Sequence, residues 1–187
     1  MRFLLLLSVF AACGDDGPTE EPPELITTVI LDFVPMGGGA TVTAAFTDPD
    51  GDGGDPPTID PIDLAASMMY TTGVRFQNGL ETPPEEITEE IRDESDEHQV
   101  FFTGTSIDGA LVHSYLDMDA NGLPIGLANR FVAARGTGTL IVTLRHLPPV
   151  NDNPIKTADL AAQVKAGGFA AIGGSSDAQV TFMVTVP

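Results

Sequence analysis

Ala178-Gln179-Val180-Thr181-Phe182-Met183-Val184-Thr185-Val186 decides the fold. Ala178, Val180, Phe182, Val184 and Val186 alternate with Gln179, Thr181, Met183 and Thr185. A strict period of two is a strand with one buried and one wet face. The same alternation recurs up the chain. In 139–146, Leu140, Val142 and Leu144 oppose Thr143 and Arg145. In 68–77, Met68, Tyr70, Thr72, Val74 and Phe76 oppose Arg75 and Gln77. Residues 25–34 and 40–46 flank Met36-Gly37-Gly38-Gly39, a hairpin turn by composition. Residues 100–103, 111–116 and 131–134 complete about eight short strands, split by Gly, Pro, Asp and Asn. Such spacing predicts an all-β fold: an antiparallel immunoglobulin-like β-sandwich with one or two short helices, filling 25–187.

Two stretches have helical character. In 83–94, Thr82 would be the N-cap, Pro83 the first helical residue and Glu85 the capping-box acid, with Ile87 and Ile91 docking on the sheet. Like charges four apart, Glu85/Glu89 and Glu86/Glu90, oppose this. The alternative is an irregular loop with a strand starting near Ile87. The second stretch, 157–166, has Thr157 as cap and Gly167-Gly168 as stop. Residues 170–176 read as a loop, and no internal repeat or second domain is evident.

The chain has 187 residues, 8 Lys and Arg against 27 Asp and Glu, and a formal net charge of -19. That balance argues against nucleic acid as a partner, which demands a basic face. A single Cys excludes an intrachain disulfide framework and a Cys-based zinc cluster. Trp is absent and aromatics make up 6%, so stacking platforms are poorly supplied, while 42% hydrophobic residues suffice for a core.

The lone Cys has a location that explains it. Residues 1–12, MRFLLLLSVFAA, carry a positive Arg2, an apolar run from Phe3 to Phe10, and the small pair Ala11-Ala12 directly before Cys13. This is the anatomy of a secretory signal, too short to span a bilayer as a helix. The small-small-Cys ending resembles the lipobox of bacterial lipoproteins, with Phe10 where Leu is usual. That resemblance implies cleavage before Cys13, lipidation of Cys13, and membrane attachment through the acyl chains. Residues 13–24 are then the lipidated Cys and a tether. From Gly14 to Glu24 five residues are acidic, three are Pro, and no large apolar residue occurs. Asp15-Asp16 also resembles the acidic export signal of some surface-displayed lipoproteins. The expected address is the cell envelope, at an outer membrane, on its periplasmic face or the cell surface.

Three constellations could carry chemistry. Asp48-Pro49-Asp50-Gly51-Asp52-Gly53 has the spacing that opens a calcium loop, and Asp117-Met118-Asp119-Ala120-Asn121-Gly122 repeats it. Neither has the terminal Glu of an EF-hand: the twelfth positions are Ile59 and Ala128. Asp55, Asp60 or Asp63 could substitute in the first loop. Ordinary turn chemistry between strands gives the same composition. Secondly, His98, His113 and His146 would make a zinc or copper site if their strands converged. Isolated strand-end histidines are the competing reading. Thirdly, nine carboxylates and Arg92 fill 81–97, a solvated face or a docking patch for a basic partner.

Catalytic signatures are missing. Cys13 is consumed by lipidation, no serine stands in a G-x-S-x-G context, and no HExxH or phosphate loop occurs. The glycine pairs and triplet lack strand–turn–helix surroundings. No particular pair among the acids is singled out for glycoside hydrolysis.

Beyond the lipobox, several segments resemble a group of small bacterial lipoproteins of unknown function. They are Glu24-Leu25-Ile26-Thr27-Thr28-Val29, Thr47-Asp48-Pro49-Asp50-Gly51-Asp52-Gly53, Asp96-Glu97-His98-Gln99-Val100-Phe101-Phe102 and Leu144-Arg145-His146. Such proteins often carry the label of a type 1 periplasmic binding fold superfamily. The label implies two-lobed α/β receptors with parallel sheets, whereas the alternation here implies a sandwich. The resemblance carries no functional residues with it.

The expectation is therefore a lipid-anchored envelope protein with a non-catalytic binding or structural sandwich, with calcium as the candidate ion and a protein or small molecule as partner. The alternatives are a small-ligand or transition-metal lipoprotein using the three histidines, and an extracellular hydrolase.

Overall fold

A computed structural model describes residues 24–51 and 53–187. Residues 1–23, on which the expected signal peptide, Cys13 and most of the expected tether fall, and Asp52 lie outside the described residues.

Among the described residues the chain is built mainly from strands, arranged in two sheets. The first sheet contains β1 (Thr28–Pro35), β2 (Val42–Thr47), β3 (Thr58–Ile59), β5 (Met68–Asn78), β6 (Glu85–Glu86), β8 (Leu111–Tyr115) and β9 (Ala128–Ala133). Its order is β3-β2-β1-β5-β9-β8, with β6 paired to β5. The second contains β4 (Ile62–Asp63), β7 (His98–Thr103), β10 (Gly136–His146) and β11 (Ser175–Val186), in the order β4-β11-β10-β7. Eight of the strands have five or more residues, and three have only two. All pairings are antiparallel except β4 with β11. The β1–β2 turn at 36–39 closes a hairpin, with the Gly38 amide donating to the Pro35 carbonyl. Gly38 takes φ +85 there, a conformation that favours glycine.

Alternation sets the inner faces. Val29, Leu31, Phe33, Tyr70, Val74, Phe76 and Phe131 from the first sheet meet Val100, Phe102, Leu140, Val142, Leu144, Val180, Phe182 and Val184 from the second. The rings of Phe33, Phe131 and Phe102 pack in series across the layer, 5.7 and 5.4 Å apart. Burying each such ring contributes roughly 1.5–3 kcal/mol.

The second sheet departs from one-sided alternation where β7 meets the end of β10. Phe101, on the outer face of β7, is buried against Leu147, Leu160 and Val164. Its cover is α2 (Leu160–Gly167) and the 3-10 turn Phe169–Ala171. Arg145 lies over the Phe169 ring at 5.4 Å and donates to the carbonyls of Gly173 and Gly174 and to Ser176 Oγ.

Both helices are shorter than their sequence patterns. α1 spans Ile87–Asp93. The capping box at Thr82 does not open it, because Glu85 and Glu86 form β6, drawn to Asn78 and Gln77 by backbone pairing and side-chain amides. Ile87 and Ile91 dock on the core as their spacing implies. α2 starts three residues after Thr157, whose hydroxyl donates to Asp159 instead of capping. Among the described residues no helix is long and apolar enough to cross a membrane.

Candidate functional site

β7 and β10 are paired so that His98 stands opposite His146. Both occupy the inner-face parity of their strands, at the end of the sandwich where β7 and β11 begin and β10 finishes. The two imidazoles stack at 4.8 Å with an 11° interplanar angle. His113 is not with them. It lies in β8 against Phe102, Tyr115 and Phe131, and its Nε2 donates to Asn129 Oδ1 at 2.9 Å. The Asn129 amide is itself oriented by donating to the Gly126 carbonyl.

Carboxylates surround the His98–His146 stack. Glu24 Oε1 and Asp177 Oδ2 are each 4.0 Å from His98 Nε2, and Glu94 Oε2 is 3.8 Å from His98 Nδ1. Glu97 Oε2 is 3.5 Å from His146 Nε2. One ligand atom each from Glu24, Glu94 and His98 lies within 4.8 Å of the others, a group that does not include Asp177. His98 Nδ1 lies 3.2 Å from the Glu94 carbonyl, which can only accept, so the ring donates there and Nε2 carries the lone pair.

Local structure explains each position. Glu94 follows the last turn of α1, and four residues on His98 opens β7. Asp177 is placed by a bulge. Leu144 pairs with Ala178 and Arg145 with Ser176, leaving Asp177 as the extra residue of β11. A bulge re-aims a side chain, and this one turns a charged residue into the interior. The Asp177 side chain is 2% exposed, and neither oxygen has a hydrogen-bond partner. Burial pushes its carboxyl up, against the pull of His146 and Arg145. Burial pushes the His98 imidazole down to about 4, against its bond to the Glu94 carbonyl. His98 is thus a neutral lone-pair donor at pH 7. The sequence singled out His98 and His146 but not Glu24, Glu94 or Asp177. The four-residue spacing of Glu94 and His98 was the one available signal.

The Asp-rich loops differ from each other. Asp117 accepts amides from Gly126 and Ala128, one on each oxygen, both at 2.8 Å. Asp119 Oδ1 accepts the amides of Asn121 and Leu123, and its Oδ2 pairs with Lys156 Nζ at 2.9 Å. Burial alone would raise the Asp119 carboxyl, but those amides and the ammonium hold it below its usual value. Burial drives Lys156 down more than Asp119 restores it. In the other loop the Asp50 amide donates to Asp48 Oδ1 and the Asp55 amide to Asp50 Oδ2. Asp50 Oδ1 is buried without a partner.

A separate groove of about 360 Å³ opens between the β7 and β8 edges and α2, with Phe101, Phe102, His113, Tyr115 and Val164 in its lining. Asp108 and Lys165 form an ion pair beside it. Burial lowers the His113 imidazole despite Asn129, and pushes the Tyr115 phenol up to about 12. Comparison with family models, curated proteins and solved structures returns no match for this chain.

Proposed function

We propose that the protein is a lipid-anchored component of the cell envelope, attached through Cys13 at an outer membrane, whose immunoglobulin-like sandwich serves as a non-catalytic binding or structural module. The observation that supports this most is how the chain meets the domain. Glu24, the last residue of the acidic tether, sits at one end of a sandwich with a single core shared by both sheets. A module held by one end keeps its faces and loops open to partners. The test is Cys13→Ala in the full chain, followed by metabolic acyl labelling and membrane fractionation. Loss of label and release from membranes is expected; an acylated, membrane-bound variant refutes the anchor.

The groove favours a second reading, a small amphipathic ligand. Its aromatic walls suit an apolar ring system, and Lys165 would meet an anionic group only by exchanging Asp108 for it. Anilinonaphthalene sulfonate is a matching probe. Its fluorescence should rise with the wild-type protein and not with Val164→Trp, which fills the groove. Equal enhancement by both proteins refutes the assignment.

A further inference from the structure

We propose that β8 is a pairing edge for a second copy of this chain, joined antiparallel about a two-fold axis at Ser114.

Hydrogen-bond parity shows what β8 offers. The Ala134 amide donates to the Ala110 carbonyl, and the Leu116 amide donates to the Ala128 carbonyl. In an antiparallel ladder every second residue turns its backbone groups to the same neighbour. Ala110, Val112, Ser114 and Leu116 therefore face β9, while Leu111, His113 and Tyr115 face away from the sheet. Local loops engage both flanks of that edge. The Leu111 amide donates to the Ser106 carbonyl, the Leu111 carbonyl accepts the Asp108 amide, and the Asp117 carbonyl accepts the Ile125 amide. Among the described residues no hydrogen bond meets the outward amides and carbonyls of His113 and Tyr115.

The other sheet edges are guarded. β3 and β4 have only two residues each and sit among Pro56, Pro57 and Pro61, with Asp55 and Asp60 beside them. β7 is strapped: the Val100 amide donates to the Ile125 carbonyl, and the Val100 carbonyl accepts the Tyr115 hydroxyl. Short strands, prolines, charges and covering segments are how sheets keep foreign strands away. β8 has five residues, Leu-Val-His-Ser-Tyr, with no proline and no Lys, Arg, Asp or Glu. On its outer face Val112, Val132 and Met69 are cross-strand neighbours, 53%, 37% and 38% exposed. An apolar row thus runs out to the open edge and ends there.

A second copy is the occupant that fits. About Ser114, His113 of each copy meets Tyr115 of the other, so every open amide and carbonyl finds a bond. The same axis sets Val112 of each copy against Leu116 of the other, itself 42% exposed, and such apolar cross-strand pairs stabilise a sheet. Charge agrees with this direction. Exposed Arg135 lies beside the head of β8, and Asp117 lies just past its tail. Antiparallel pairing brings each head to the other copy's tail.

The test is sedimentation equilibrium of the full chain carrying Cys13→Ala, which removes acylation as a cause of association. A dimer with a Kd of about 100 µM or tighter is expected, as suits a small interface. Ser114→Lys sets two ammonium groups face to face and should weaken the dimer at least about 10-fold. Met183→Lys, at an exposed position of the second sheet, should leave it unchanged. Cross-linking fixes the register. Opposite residues of a non-hydrogen-bonded pair have Cα atoms about 4.5 Å apart, within disulfide reach. Cys13→Ala/Ser114→Cys should therefore give a covalent dimer with oxidised glutathione, and Cys13→Ala/Met183→Cys should not. A chain that is monomeric at about 100 µM overturns the proposal and leaves the edge to a strand of another protein. A dimer that Ser114→Lys leaves intact, or a Ser114→Cys variant that does not cross-link, overturns it as well.

Discussion

Lys156→Met is expected to cost about 3 kcal/mol of folding stability at pH 7. The Lys156 and Asp119 side chains are 1% and 0% exposed, with 2.9 Å between Nζ and Oδ2. Lys156 also donates to the Ser95 carbonyl at 2.6 Å. Methionine keeps much of the apolar stem and deletes the charge. Removing one partner of a buried pair costs roughly 3–5 kcal/mol, because the other charge stays buried. The lower end applies here, since Asp119 keeps its bonds from the Asn121 and Leu123 amides. For a domain of this size about 3 kcal/mol corresponds to a fall in Tm of about 6–12 °C. The assay is urea unfolding followed by circular dichroism, suited to a chain without Trp. Two further results separate the ion pair from mere packing. In the wild type the Asp119 carboxyl is held below its unfolded value, so its contribution is present above about pH 3.9 and is lost as pH falls through the lowered value. Without Lys156 that carboxyl loses part of what holds it down, so protonation relieves the variant at a higher pH than the wild type and the gap narrows toward pH 4.5. The double variant Lys156→Met/Asp119→Asn keeps an oxygen for the two amides and removes the charge, so it should regain about 2 kcal/mol over Lys156→Met alone. A loss under about 1 kcal/mol at pH 7, or a gap that is the same at pH 7 and 4.5, refutes the reasoning.

Phe131→Ala should cost about 3–5 kcal/mol in the same assay, because the ring is fully buried between Phe33 and Phe102 and leaves a cavity bridging both sheets; a loss under about 1 kcal/mol contradicts the core as described. Stability should rise with pH between about 4 and 6.5. The unfolded chain binds more protons there than folded His98, near 4, and His113, also lowered, by up to about 1.4 kcal/mol per pH unit for each histidine. Asp177, shifted upward, takes back part of the rise at the acid end, and a flat urea-unfolding profile from pH 4.5 to 6.5 rules the assignment out. Calcium should act through the loop at 48–55, where Asp50 Oδ1 is buried without a partner, and not through 117–122, where backbone amides and Lys156 engage the carboxylates. A calcium-induced rise in Tm that Asp50→Ala abolishes and Asn121→Ala spares is the expected outcome, and the reverse pattern refutes it.

Period-two alternation was enough to find the long strands because each inner side chain there answers to one core. It placed Val180, Phe182 and Val184 on one face of β11 and Leu140, Val142 and Leu144 on one face of β10, as the core has them. The helix starts were less legible, since a capping sequence competes with whatever else its residues can pair with. At 82–86 the side-chain amides of Gln77 and Asn78 offered Glu86 and Glu85 a strand instead. The site was half legible for a related reason. Parity puts His146 on the inner face, but only the register of β10 against β7 sets it opposite His98. Register comes from the partner strand and is not written in either strand alone. Asp177 is the sharper case. Alternation in β11 assigns odd positions outward, the comfortable place for a carboxylate, and nothing local contradicts that. The bulge reverses it and buries the charge without a hydrogen bond. The compensation within the chain is partial: His146 and Arg145 pull the carboxyl down, and burial outweighs them. Sites where a consistent local pattern is overruled at a cost are where function is expected.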